Sequence, residues 1–354
     1  MPPELLAVPA AGAARLATQA PAHRSAGIAA LGIALPPTVV SNAEVGARAG
    51  VDGEWILRRT GIRERRHLAG TERLDELAAA AGHEALDRAG VPAGSLDAVL
   101  VATSSADDIF PQAAPLVAGL LGAGQAMAWD VGLACTGFIA GLAQGAALIE
   151  SGRAERVLLI GADALSRNAD PAERGTASLF GDGAAAVVLV EGGAGRIAET
   201  TMGSDGAASG ALTAARADGL IRMDGHEVFR HAIARMEQAC HEVLARADLA
   251  LADVDLVVPH QANGRMTTAL RERLGLPPDR VADDIAGRGN TSAATIPLAL
   301  HAAADAGRLP AAGCVLLCAF GAGFAWGAAL VHYGPAPALP LQPTIKRSTA
   351  CPSP

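Results

Sequence analysis

The sequence predicts a layered α/β fold assembled from two related halves. Three observations carry this: apolar runs of strand length alternate with helical patterns, residues 135–163 are echoed at 291–321, and the chain has 354 residues. That length is roughly two to three times a typical domain, which suits a duplicated fold or two domains. The runs DAVLVAT (97–103), RVLLIGA (156–162), AAAVVLV (184–190), DLVVP (255–259), CVLLCAF (314–320) and WGAALVHY (326–333) are bounded by turns. Each is a nearly unbroken apolar stretch, as strands buried on both faces require. Between them Phe229, Ile233, Met236, Cys240 and Val243 recur at helical spacing.

The echo sharpens the picture. CTGFIAGLAQGAALIESGRAERVLLIGAD (135–163) and TSAATIPLALHAAADAGRLPAAGCVLLCAFG (291–321) both run from a small-residue turn into a helix, through an Arg-containing loop, to a V-L-L strand. Likewise FGDGAAAVVLV (180–190) echoes FGAGFAWGAALV (320–331), and DAVLVATSS (97–105) echoes DLVVPHQAN (255–263). An internal duplication with two equivalent central helices explains all three pairs. It predicts that the glycine stripe Gly137, Gly141, Gly145 lets the first central helix approach the backbone of the second. The uncharged stretch 131–149 is the length of a membrane span. Asp130 and Glu150 at its ends, and Thr136 and Gln144 within it, favour a soluble helix buried on all sides.

Composition excludes several function classes. With 51% apolar, 18% charged and 3% aromatic residues the chain builds its core from Ala, Val, Leu and Ile, and it is not a disordered tail protein. Twenty-eight Lys and Arg against 36 Asp and Glu leave a net charge of −8, which argues against nucleic acid as a partner. Five cysteines without scaffold spacing point to a reducing cytoplasm. Residues 1–26 lack the basic start of a secretory signal and are expected to be a flexible extension, matched by a flexible tail at 335–354. The halves then span 27–196 and 197–334.

Three polar residues fall where strand-to-helix turns of the two halves can converge: Cys135 before the first central helix, His260 after a strand, and Asn290 before the second central helix. A thiol at a helix N-terminus beside an imidazole is a candidate nucleophile toward a thioester or ester. By spacing alone Cys135 reads more readily as a small buried core cysteine, the commoner fate of a Cys in an apolar run. Cys240, Cys314 and Cys318 sit within apolar patterns and read as packing, and Cys351 lies in the tail. The histidines of HEVFRH (226–231) are five apart, about 140° around a helix, which fails the geometry of a zinc pair. No Cys/His set has metal-ligand spacing, and GxSxG, the P-loop and a strand-linked GxGxxG are all missing.

Six strings occur in order between residues 27 and 333: GEWILRRTGIRER (53–65), DVGLACTGF (130–138), DPAERGTASLFGDGAAAVVL (170–189), VPHQAN (258–263), GRGNTSAATIP (287–297) and AFGAGFAWG (319–327). Together they closely resemble the beta-ketoacyl-acyl carrier protein synthase III family. The resemblance implies a thiolase-like duplicated five-layer α-β-α-β-α fold, a homodimer, and a catalytic triad at Cys135, His260 and Asn290. It implies that acyl-CoA acylates Cys135. Decarboxylative condensation with malonyl carried on acyl carrier protein then gives a beta-ketoacyl thioester that primes fatty-acid or polyketide synthesis, with no external cofactor or metal.

By the same resemblance, the backbone N–H groups of Cys135 and Ala322 form an oxyanion site, with Ala322 standing where family members often carry Gly. Trp55, Arg59, Arg174 and Arg265 are implied to bind CoA, and Phe110, Met223, Phe229 and Phe320 to shape the acyl pocket, Phe110 by reaching across the dimer. The segment 203–223 departs from the family strings and His226 stands where Asn is expected, so substrate choice stays open. A non-condensing acyltransferase, passing the acyl group from Cys135 to a hydroxyl, amine or carrier protein, is the alternative. Asn290 favours condensation, because an enolate needs its N–H.

Overall fold

In the computed structural model, which describes residues 24–334, the chain opens with β1 (Ala26–Ala34), β2 (Thr38–Ser41), α1 (Asn42–Ala49) and α2 (Gly53–Thr60), and β3 (Glu64–His67) pairs back on β2. Then follow α3 (Leu74–Ala89), β4 (Ala98–Ala102), α4 (Ala113–Leu121), β5 (Met127–Val131), α5 (Gly137–Glu150), β6 (Arg156–Ala164), α6 (Arg174–Ala177) and β7 (Asp182–Glu191). β8 (Gly195–Ser204) leads to a small hairpin of β9 (Leu212–Ala214) and β10 (Ile221–Met223), then α7 (Gly225–Arg246), β11 (Leu256–Pro259), α8 (Gly264–Arg273), α9 (Thr295–Asp305), β12 (Gly313–Gly321) and β13 (Ala325–Tyr333). The expected extension and tail lie outside the described residues except for 24–26, where Ala26 already opens β1, and Cys351 lies outside with them.

The main sheet has the order β11-β12-β13-β8-β1-β7-β6-β4-β5. Read outward from its centre it repeats itself: β1, β7, β6, β4, β5 on one side correspond to β8, β13, β12, β11 and a bridge at Val281 on the other, with the same parallel and antiparallel pairings. The two strand repeats meet where β1 pairs with the start of β8, Gly27 with Arg196 and Ile28 with Gly195. A side chain does not fit there: a Cβ on Gly27 would lie 2.4 Å from the Gly193 carbonyl oxygen.

Alternation along the strands builds the layers. Leu100, Leu159 and Leu189 face inward with Leu256, Leu317 and Val331, and all share one core with Phe138, Ile139 and Leu142 of α5 and Ile296 and Leu300 of α9. Val99, Leu158, Ile160 and Val188 face outward onto α3 and α4. Val257, Leu316, Cys318 and Leu330 face outward onto α7 and α8. The result is helix, sheet, helix, sheet, helix, the five-layer thiolase-like arrangement that the resemblance implies.

The glycine stripe of α5 has a different partner from the one expected. A Cβ on Gly141 would lie 2.3 Å from a Leu159 methyl, one on Gly145 2.6 Å from a Leu189 methyl, and one on Gly137 3.1 Å from the Ala102 Cβ. The stripe therefore seats α5 on the side chains of its own sheet rather than against α9. The close approach between halves lies elsewhere, at Gly161 of β6, where a Cβ would sit 2.4 Å from the Ala293 carbonyl oxygen.

Candidate active site

Each half delivers a 3₁₀ turn just before its central helix, Ala134–Thr136 before α5 and Ser292–Ala294 before α9. Each turn opens on a non-glycine residue with positive φ, 44° at Ala134 and 52° at Ser292, a backbone that costs of order 1–2 kcal/mol and clusters at functional sites. The strained turn in the first half places Cys135 at the floor of a cavity. Gly321, at the end of β12, closes over it: a Cβ there would stand 2.9 Å from the Cys135 backbone nitrogen, so only glycine lets the strand end lie on the nucleophile's turn.

His260 follows β11 and is almost wholly buried, and its backbone N–H donates to the Cys318 carbonyl at 2.7 Å. Nδ1 of its ring is 2.6 Å from Thr295 Oγ1, which fixes the ring and leaves Nε2 as its free nitrogen. Burial pushes the imidazole down to about 3, so it is neutral at ordinary pH. Asn290 is held by a parallel bridge to Phe180, its N–H donating to Leu179 and its carbonyl accepting from Gly181. Its side-chain Oδ1 accepts the Ser292 N–H at 2.9 Å, which leaves the amide NH₂ as the free end. Burial pushes the Cys135 thiol up to about 12, and the negative charge of Asp163 acts in the same direction.

Cys135, His260 and Asn290 all line one cavity of about 420 Å³. Trp55, Arg59, Arg174 and Arg265 line it too, with Met223, Phe229 and Phe320. The three arginines are exposed while Trp55 is half-buried. Local sequence explains their positions. Asp52 caps α2 by accepting the Trp55 N–H, Glu173 caps α6 just before Arg174, and Asn263 caps α8 by accepting the Arg265 N–H. Two guanidiniums stand near the Trp55 ring, Arg59 at 5.8 Å and Arg174 at 5.5 Å from its centroid. Phe320 packs against Phe324 with ring centroids 4.8 Å apart.

Two expected residues lie apart from this set. Phe110 is 83% exposed, on the loop before α4, and is not part of its own chain's cavity. Ala322 is half-buried in the turn after Gly321, and it is Gly321 that meets the cavity. Sequence reasoning passed over Ser292, Thr295 and Asp163, the polar groups packed around the triad, although Ser292 and Thr295 stand in the NTSAAT string beside Asn290. Among the described residues no group of His, Cys, Asp and Glu could hold a metal ion, and no helix is long and apolar enough to cross a membrane. Cys240, Cys314 and Cys318 are buried in the core, as their apolar settings predict.

Comparison with known proteins agrees with this geometry. Residues 129–206 match the family described as 3-oxoacyl-[acyl-carrier-protein] synthase III, and residues 244–333 match its C-terminal domain. A beta-ketoacyl-[acyl-carrier-protein] synthase III of Granulibacter bethesdensis is 44% identical over 316 residues, covering 86% of this chain and 98% of the relative. The crystal structure of 3-oxoacyl-(acyl carrier protein) synthase III from Pseudomonas aeruginosa superposes with a TM-score of 0.84 at 41% identity, covering 88% of this chain and 99% of that one. A priming beta-ketosynthase of a polyketide biosynthetic pathway gives a TM-score of 0.85 at 33% identity over 91% of this chain and all of that one. With relatives this similar along nearly their whole length, and with the duplicated thiolase-like architecture, the chain belongs to the beta-ketoacyl-[acyl-carrier-protein] synthase III family of condensing enzymes.

Proposed function

We propose that this condensing enzyme takes its starter from acyl-CoA and extends it with malonyl carried on acyl carrier protein, with Cys135, His260 and Asn290 as its catalytic residues. The observation that carries the reading is the convergence in one cavity of a thiol, an imidazole and an amide with a rim of Trp55, Arg59, Arg174 and Arg265. An indole with guanidiniums nearby suits an adenine ring, and exposed arginines suit phosphates. Met223, Phe229 and Phe320 supply an apolar wall for the acyl chain.

In the first step the Cys135 sulfur bonds to the thioester carbonyl carbon, the bond from that carbon to the CoA sulfur breaks, and the thiol proton ends on free CoA. Charge developing on the carbonyl oxygen would be met by the backbone N–H of Cys135 and by that of Ala322, whose side chain lies outside the cavity but whose N–H follows directly on the cavity-lining Gly321. In the second step the malonyl carboxylate leaves as CO₂, and its bonding electrons become an enolate. Asn290 donates to the enolate oxygen through its amide NH₂. His260 joins it through Nε2–H in the tautomer in which the Thr295 hydroxyl leaves the Ser292 carbonyl and donates to Nδ1 instead. The enolate carbon then attacks the acyl carbon on Cys135, the bond from that carbon to the Cys135 sulfur breaks, and the beta-ketoacyl carrier protein leaves, with the Cys135 thiolate taking a proton from solvent. None of these steps calls on a cofactor or metal.

We further propose a cytoplasmic homodimer of chains divided into halves at 27–196 and 197–334. Among the described residues β5 ends the sheet order and leaves one edge unpaired, and Ile109, Phe110, Leu120 and Met127 lie exposed on the same stretch of chain. From that position Phe110 would reach the acyl pocket of the other subunit.

The test is intact-mass analysis of malonyl-loaded acyl carrier protein incubated with the enzyme and a panel of acyl-CoAs, with Cys135→Ala as control. The expected product has lost CO₂ and gained one acyl unit. Acylation of Cys135 with an unchanged malonyl carrier would overturn condensation in favour of acyl transfer to a hydroxyl, amine or unloaded carrier.

A further inference from the structure

One wall of the cavity is a piece of chain that hardly belongs to the core. β9 and β10 form a two-stranded sheet of their own, apart from the main sheet, with three residues in each strand. A hairpin that short is marginal by itself. Its register sets Met223 opposite Leu212 and Ile221 opposite Ala214. Met223 and Leu212 both line the cavity, and Ile221 is the one strand residue that is buried, against Ile62, Leu179 and Phe180. Thr213 and Arg222, the intervening pair, are exposed, and so is the turn 215–218.

Asn168 fastens this hairpin to the rest of the molecule. It is half-buried and follows the 3₁₀ turn Leu165–Arg167 after β6, where its own N–H donates to Leu165. Its side-chain Nδ2 donates to the Gly219 carbonyl at 2.8 Å, and its backbone carbonyl accepts the Ile221 N–H at 2.8 Å. Among the described residues no other hydrogen bond joins 213–222 to a distant part of the chain. The two bonds fall on either side of Leu220, so β10 is held at its first residue. Met223, two residues on along the same face, is held with it.

We propose that Asn168 sets the acyl-chain preference of the enzyme as a positioning residue: by fixing β10 it keeps Met223 and Leu212 a firm wall that admits short acyl chains and turns longer ones away. The cavity of about 420 Å³ has to hold the arm that carries the thioester as well as the acyl chain, so a small movement of one wall decides how many methylenes fit. A methylene that finds no room costs about tenfold or more in kcat/KM. The other apolar walls, Phe229 on α7 and Phe320 on β12, stand on long elements packed into the core, whereas this one hangs on a single side-chain amide and one backbone bond.

The inference rests on the reading above that Met223 bounds the acyl chain, and the test keeps the two apart. Single-turnover acylation of Cys135 by acetyl-CoA and by hexanoyl-CoA is followed by intact mass, together with limited proteolysis by trypsin after Arg216 in the exposed turn. Asn168→Ala removes the amide and leaves the backbone bond to Ile221. One such hydrogen bond is worth a factor of about five, so the ratio of hexanoyl to acetyl acylation is expected to rise about fivefold and cleavage after Arg216 to speed by a similar factor. Asn168→Asp, equal in size, sets an acceptor against the Gly219 carbonyl. It is expected to shift both readouts at least as far, and it decides the matter if the alanine variant yields no folded protein. General damage to the fold would slow both acyl-CoAs alike without raising their ratio. A ratio that stays put in the folded variant, or one that rises with cleavage unchanged, overturns the proposal. Met223→Ala is expected to raise the same ratio whatever Asn168 does. If it does not, Met223 does not bound the acyl chain and the wall assignment itself falls.

Discussion

At the residue scale the site depends on which atoms are already engaged. The Ser292 N–H holds Asn290 Oδ1, so the reacting end of Asn290 is its NH₂. Asn290→Asp replaces that donor with a carboxylate facing the enolate. The expected result is a loss of condensation of about 10²-fold or more, with acylation of Cys135 largely retained, measured by separate half-reaction assays. His260 carries a stability signature as well. Its folded value of about 3 lies below the ordinary 6.5, so the unfolded chain binds a proton that the folded one refuses. The stability gained by keeping the ring neutral is complete above about 6.5 and is lost as pH falls toward 3, with a limiting slope of about 1.4 kcal/mol per pH unit. Denaturant titrations of wild type and His260→Gln from pH 7 to 4 are expected to differ in slope, the variant being the flatter.

At the element scale, six strands were legible because burial on both faces leaves an unbroken apolar run, and the predicted runs coincide with β4, β6, β7, β11, β12 and β13 within a few residues. β5 (MAWDV) and β8 (GRIAETTMGS) were not, because polar residues interrupt them where the sheet edge and the hairpin bend reach solvent. The equivalence of the central helices was legible from the echo. The destination of the glycine stripe was not, since small residues say that something comes close without saying what, and here it is leucine side chains. Of the site, the residues in the six strings were readable. The Asp163–Ala293 contact was not, because it joins positions in different halves with no local pattern. Gly161, by contrast, meets backbone. Gly161→Val is expected to destabilise the fold by about 2–4 kcal/mol and to lower activity with it, measured by denaturant midpoint, because the Ala293 carbonyl that it displaces belongs to the turn supporting Asn290.

At the scale of the whole molecule, the edge of β5 left unpaired among the described residues and the exposed Ile109 and Phe110 predict a stable pair of chains. Sedimentation equilibrium is expected to give twice the 35.5 kDa of one chain. The double variant Ile109→Glu with Phe110→Glu is expected to shift the mass toward the monomer. A monomeric wild-type protein would remove the route by which Phe110 reaches an acyl pocket. The cavity mouth also carries a built-in optical reporter. The chain has three tryptophans, and they sit in unlike surroundings: Trp326 is buried under the Arg235 guanidinium, Trp129 donates its indole N–H to Gln144, and Trp55 stands half-buried at the rim near Arg59 and Arg174. An adenine stacked on Trp55 would quench that indole while leaving the other two emitting. Nucleotide occupancy can then be followed by intrinsic fluorescence in the untagged enzyme, with Trp55→Phe as the dark control.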